Sequence, residues 1–185
     1  MKIFNACVTS VVLFAMAGPV AAETWHLSAK SKIGFDIRSA GLSIVNGQFQ
    51  SYQAQMQLDP VQPQSASVKF VMDVNSLLLS KPSLKEMILG ESFFNVARYK
   101  TTSFQSTQIK SLGHHKYAIH GHLTLRGMTK PVVFDTTLTP VAGNAKALKV
   151  LSTTTIHRSD FGMRKAIGGV GEKVTIQLDG QWLSK

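Results

Sequence analysis

The stretch YAIHGHLTLRGMTKPVVF, residues 117–134, decides the fold. Tyr117, Ile119, Gly121, Leu123 and Leu125 fall on odd positions, and His120, His122, Thr124 and Arg126 on even ones. A period of two separates an apolar face from a polar one, so the segment reads as a half-buried β-strand. Its chemistry lies either in the histidines or in the oily face opposite them.

Working outward, the same alternation recurs along most of the chain. Ile33, Phe35 and Ile37 mark a first strand, closed by Gly41-Leu42. A second runs from Ile44 to Leu58, with apolar residues at Val45, Gly47 and Phe49 and then at Tyr52, Ala54, Met56 and Leu58. The parity changes near Gln50-Ser51, which would turn the oily face outward unless an extra residue is absorbed, so a bulge is expected there. After the turn chemistry of DPVQPQS (59–65), Ala66, Val68, Phe70, Met72 and Val74 form a third strand. Leu84, Met87 and Ile88 have helical spacing, with Pro82 suited to a first turn and Gly90 to a stop, which predicts one short helix over 82–89. An irregular turn carrying Phe93 and Phe94 follows, placed to plug the core at one end or to line a ligand route.

Alternation then resumes at Thr102–Gln108, in the opening stretch, at Val132–Leu138, at Leu148–Ile156 and at Val174–Trp182. Eight strands joined by turns, with a single helix, predict an all-β antiparallel sheet closed into a barrel, which removes exposed edges. Such a barrel is just wide enough for one small ligand. The inward set includes small or hydroxylated residues, Gly47, Ala54, Ala66, Ser106, Gly121, Thr136, Thr154 and Gly180, which leave room. A solid core and a cavity both remain open at this point.

The N-terminus bears on compartment. Met1-Lys2, an apolar run over 3–17, Gly18-Pro19 and Val20-Ala21-Ala22 have the layout of a cleaved signal peptide, residues 1–22. The run is shorter than the roughly 20 residues of a membrane span. The expectation is one periplasmic domain, residues 23–185. Cys7 falls within the removed segment, so the mature chain would carry no disulfide and would depend on its core. Removing Lys2 leaves 19 basic residues against 10 acidic ones. In an exported protein this excess fits anionic membrane surfaces or anionic small molecules, and no Lys/Arg block supports nucleic acid.

Three runs, FFNVARYKTTSFQSTQI (93–109), YAIHGHLTLRGMTKPVVF (117–134) and IHRSDFGM (156–163), resemble successive motifs of the YceI-like family of exported lipid-binding proteins, and the similarity spans nearly the whole mature chain. The resemblance implies a lipocalin-like barrel with an apolar tunnel for a polyisoprenoid, an isoprenoid quinone or another long amphiphile, with no catalysis. The chain departs from the family's Asp-Pro-x-His-Ser motif, having Ser28-Ala29-Lys30-Ser31, where Lys30 offers a fixed positive charge instead of the histidine.

The ligand-binding residues expected on the inner face are Phe35, Ile37, Phe49, Phe70, Met72, Phe104, Ile119, Leu123, Phe134, Ile156 and Ile176. Arg158, Asp160 and Arg164 are expected at the tunnel mouth, in a loop loosened by glycines 162, 168, 169 and 171, unless Arg158 and Asp160 pair and pin that loop. The competing readings are a metal-binding stress protein using His114, His115, His120 and His122, and an interaction module whose barrel is scaffold. The metal set lacks a cysteine or a well-placed carboxylate, so no metal site is assigned. Ser159, His157 and Asp160 are too close in sequence to align as nucleophile, base and orienter. A homodimer is left open.

Overall fold

The computed structural model describes residues 23–39, 42–58, 65–163 and 171–184. Residues 1–22, expected to form a signal segment, together with Arg164 and glycines 168 and 169, lie outside the described residues. The strands are β1 (Glu23–Leu27), β2 (Lys32–Ser39), β3 (Leu42–Phe49), β4 (Tyr52–Leu58), β5 (Ser67–Asp73), β6 (Leu77–Leu79), β7 (Thr101–Gly113), β8 (Lys116–Leu125), β9 (Met128–Val141), β10 (Asn144–His157) and β11 (Lys173–Ser184). The helix α1 (Lys85–Leu89) follows a 3-10 turn at Pro82–Leu84, so the predicted helix forms at the predicted place.

The sheet is one antiparallel ladder that closes when β1 pairs with both β4 and β11. β1 and β2 both lie along β11, β3 and β4 along that pair in turn, and β5 and β6 along β4 and β3. These three broken strands act as three staves, which with β7 to β11 make the expected eight-stranded barrel. β1 was not anticipated, because Glu23–Leu27 is too short to show alternation before the SAKS turn.

The strand breaks are stitched by serines. Where one bulge in a continuous strand was expected, the chain leaves strand geometry at Gln50-Ser51 and divides into β3 and β4, which absorbs the parity change. The N–H groups of Gln50 and Ser51 donate to the Ser76 hydroxyl at 3.2 and 3.0 Å, and Ser76 itself lies in the 3-10 turn that divides β5 from β6. At the β1–β2 break, the Gln181 N–H donates to the Ser31 hydroxyl at 3.1 Å. Tyr52 donates to the Ser28 and Ser31 carbonyls from the neighbouring stave. Gly180 is required here, since a Cβ would collide with the Ser31 side chain.

The opening stretch behaves as its parity dictates. On β8 Ile119, Gly121, Leu123 and Leu125 are buried, and His122 is exposed. Arg126-Gly127 makes the β8–β9 turn with positive φ at both residues, the signature of a two-residue type I′ hairpin. The Arg126 guanidinium bonds the carbonyls of Gly162 and Glu91, tying this hairpin to the segments that cap the barrel. The cap consists of α1, the turns to Lys100 and a 3-10 turn at Arg158–Phe161. The opposite end carries the hairpin turns His114-His115 and Ala142-Gly143.

Candidate functional site: an apolar cavity along the barrel axis

The interior holds a cavity of about 270 Å³. Every inner-face residue singled out in the sequence borders it: Phe35, Ile37, Phe49, Phe70, Met72, Phe104, Ile119, Leu123, Phe134, Ile156 and Ile176, and so does Arg158. Two-residue periodicity marked these positions because a closed sheet has only one inside. Trp182, Val150, Leu178 and Val174 also border the cavity and were not singled out, although their strands were read with the right parity.

The capped end is built from rings. Phe35, Phe49 and Phe94 form a cluster with centroids 6.0 to 6.4 Å apart, and Ile88, Phe93 and Met163 are buried beside them. Phe93 and Phe94 therefore plug the barrel and also face the cavity. The small residues were expected to leave open space, but aromatic rings occupy much of it. A Cβ on Gly47 would overlap the Phe35 ring, and one on Gly121 would overlap the Phe104 ring. Phe104 then packs edge-on against Phe134, with centroids 5.0 Å apart. Gly–aromatic pairing across strands fills the gap a glycine leaves, and each ring narrows the bore.

Arg158 does not sit at a mouth. It is 1 % exposed at the capped end, its guanidinium 4.9 Å from the Phe93 ring centroid and its Nε donating to the Gly171 carbonyl at 2.9 Å. Its ionic partner is Glu172 at 3.8 Å, not Asp160, which is exposed. Burial lowers the Arg158 pKa, and the nearby Glu172 carboxylate partly offsets this. For Glu172 burial acts upward, but the bonds from the Ser159 hydroxyl and N–H, together with the Arg158 and His157 charges, hold its pKa below the usual value. The sequence missed this anchor because Glu172 lies across a loop from Arg158. Arg158, Glu172 and Ser159 thus lock the cap, and Ser159 and His157 stand outside the cavity.

The lining is most exposed at the hairpin end, which makes that end the candidate opening instead. There the cavity is bordered by Leu58, Ala66, Ile109, Tyr117, Leu138 and Leu148, all half-buried, and by the exposed His115 and Pro140. Polar groups are few. The Thr136 and Ser152 hydroxyls satisfy each other at 2.6 Å, and Thr102 donates to the Thr124 carbonyl. Lys30 is exposed in the β1–β2 turn and does not border the cavity. Among the described residues no three His, Cys, Asp or Glu side chains are grouped to hold a metal ion. His114 and His115 lie in the β7–β8 turn, whereas His120 lies on β8 four residues beyond its start at Lys116, roughly 14 Å along the strand at 3.4 Å per residue, so the two histidine pairs do not converge.

An apolar cavity with satisfied hydroxyls and a closed, ring-lined end can exclude water and hold a hydrocarbon chain. Known proteins share this architecture. The chain is 28% identical over 174 residues to a UPF0312 protein of Yersinia pestis, covering 90% of this chain and 89% of that one. It is 26% identical to a UPF0312 protein of Vibrio cholerae, covering 100% and 97%. Among solved structures, Burkholderia cenocepacia BcnA superposes with a TM-score of 0.76 at 24% identity, over 84% of this chain and 98% of that one. A polyisoprenoid binding domain from Saccharophagus degradans superposes with a TM-score of 0.66 at 11% identity, over 89% and 99%. The family model of the YceI-like domain matches residues 25–182, and the chain belongs to that family.

Proposed function

We propose that the protein is a non-enzymatic periplasmic carrier or buffer for an isoprenoid-type or similarly long amphiphilic lipid, held tail-inward in the barrel. One observation carries this reading: the apolar cavity borders residues from both ends of the barrel, Phe93 at the cap and Tyr117 at the opening. Family membership and a structural neighbour named for polyisoprenoid binding support it.

At about 0.3 kcal/mol per heavy atom, micromolar affinity, or roughly 8 kcal/mol, needs around 27 buried atoms, some five isoprene units. The cavity of about 270 Å³ lies just under the roughly 300–1,000 Å³ of ordinary ligand pockets. A chain of that length therefore seats only as the lining side chains repack against the wall and widen the bore. Apolar burial discriminates weakly between chains, so length selectivity comes from the distance between the cap and the opening. The head group stays at the hairpin end, near His115 and Tyr117, because the Arg158 end is closed by rings.

Organic extraction and mass spectrometry of protein purified from its native compartment test the reading. One long-chain lipid per protein, recovered from the periplasmic fraction, is the expected result. A protein that yields no lipid and does not titrate with a polyprenol would overturn it, leaving a scaffold.

A further inference from the structure

The two ends of the barrel differ in charge. Among the described residues, Asp36, Asp73, Glu86, Glu91, Asp160 and Glu172 all lie in the half toward the cap, where they are interspersed with Arg38, Lys81, Lys85, Arg98, Lys100, Arg126, Lys130, Arg158 and Lys173, so that charges of both signs are mixed there. Asp135 and Asp179 lie midway, and among the described residues Glu23 is the acidic one at the hairpin end. That end carries exposed Lys110, Lys116, Lys146, His114 and His115.

A second, independent feature lies at the same place. β7 pairs with β5 only as far as Gln105, and beyond it the strand runs on to Gly113 with β8 as its partner. The tip of this projecting hairpin presents Leu112 at 62% exposure, the largest value among the exposed large apolar residues. A lone exposed leucine is ordinary. A leucine at the end of a projecting hairpin, flanked by lysines, is the arrangement of an interfacial anchor, with apolar insertion backed by attraction to anionic lipid. The inner side of the same hairpin supplies Ile109, His115 and Tyr117 to the rim of the cavity.

We propose that the hairpin end is a docking face for an anionic bilayer, with Leu112 inserted among the head groups and Lys110, Lys116 and Lys146 set against the surface. The geometry points the cavity opening at the membrane, so a lipid tail passes between bilayer and barrel without crossing bulk water. This purpose rests on the carrier reading, but the docking itself does not.

Flotation with vesicles of phosphatidylglycerol and phosphatidylethanolamine tests it on the mature protein. Binding is expected to such vesicles and not to pure phosphatidylcholine, and to weaken as salt screens the surface. Replacing Lys110, Lys116 and Lys146 together by Gln removes roughly a hundredfold of the partitioning, at about fivefold per lysine. Leu112→Asp weakens it further, and the matched change of Lys81, Lys85 and Lys100 to Gln leaves it nearly intact. Equal losses from the two triple variants, or no vesicle binding by the unaltered protein, would overturn the proposal. Solution titration with a fluorescent polyprenol analogue separates the two ideas. Docking variants that still bind the analogue place the defect at the surface, whereas docking that persists in a protein unable to bind it overturns the carrier reading instead.

Discussion

Gly47 illustrates what a single position controls in a barrel interior. It pairs directly with Phe35 across β2 and β3, and the Phe35 ring lies where a Cβ would project. A Gly47→Ala change must push that ring toward the bore, at an overpacking cost of about 1–3 kcal/mol. The expected outcome is polyprenol affinity reduced by a larger factor than the stability loss explains, with Phe35→Leu in the same chain restoring binding. Calorimetric titration of the two single variants and the double variant measures this coupling. Glu172 supports a second expectation. Its pKa is held down in the folded protein, so its stabilisation is full above the ordinary glutamate value of about 4.3 and fades as the pH falls through the depressed folded value. Thermal unfolding of the protein and of Glu172→Gln should therefore differ most near neutral pH and converge in acid. A gap that widened in acid would contradict this assignment. The lining residues were legible because strand parity alone points them inward. The Gly47–Phe35 contact and the Arg158–Glu172 anchor were not, because both depend on which residues meet across strands or a loop.

Broken strands shape the barrel more than the continuous ones do. The parity change at Gln50-Ser51 was visible in the sequence because apolar residues cannot switch faces without a backbone adjustment. Its form was not visible, since the acceptor for the freed N–H groups is Ser76, 25 residues away on another stave. The same hydroxyl donates to the Asp73 carbonyl at 2.7 Å, so one side chain joins two breaks. Ser76→Ala removes these bonds, while Gln50 keeps the Ser76 carbonyl as an acceptor. The site is largely solvent-exposed, so the expected loss is about 1 kcal/mol. In urea the unfolding midpoint should fall with the slope unchanged, because the surface exposed on unfolding is the same. A changed slope would mean that the corner reorganises and that Ser76 is a switch between shapes. Strand β1 escaped the sequence reading for a related reason. Its pairing to β4 and β11 is non-local, and five residues carry too little pattern to announce it.

Barrel closure gives the molecule two unlike ends, and ligand energetics should respond to both. The cap is fastened by Phe93, Phe94 and the buried Arg158, whereas the hairpin end is bordered by half-buried aliphatics. Eight alternating strands and one helix were enough to infer closure, but the direction in which the barrel opens was not. It depends on Arg158 being buried, and arginine in a glycine-rich loop reads as exposed. A lipid that fills the interior binds the folded chain and has no comparable site on the unfolded one, so it must raise the unfolding temperature by mass action. At a free concentration about one hundred times Kd the gain is about 2.7 kcal/mol. For a domain of this size, at about 2–4 °C per kcal/mol, that corresponds to a rise of roughly 5–10 °C. The comparison is between delipidated protein and the same protein with a polyprenol added, followed by circular dichroism. A short prenol that cannot reach from the opening to Phe93 should give a smaller rise, because each isoprene unit removed subtracts apolar area buried in the bore. Equal shifts for short and long prenols would place the site at the opening alone, and no shift for either would remove the interior from the ligand's path.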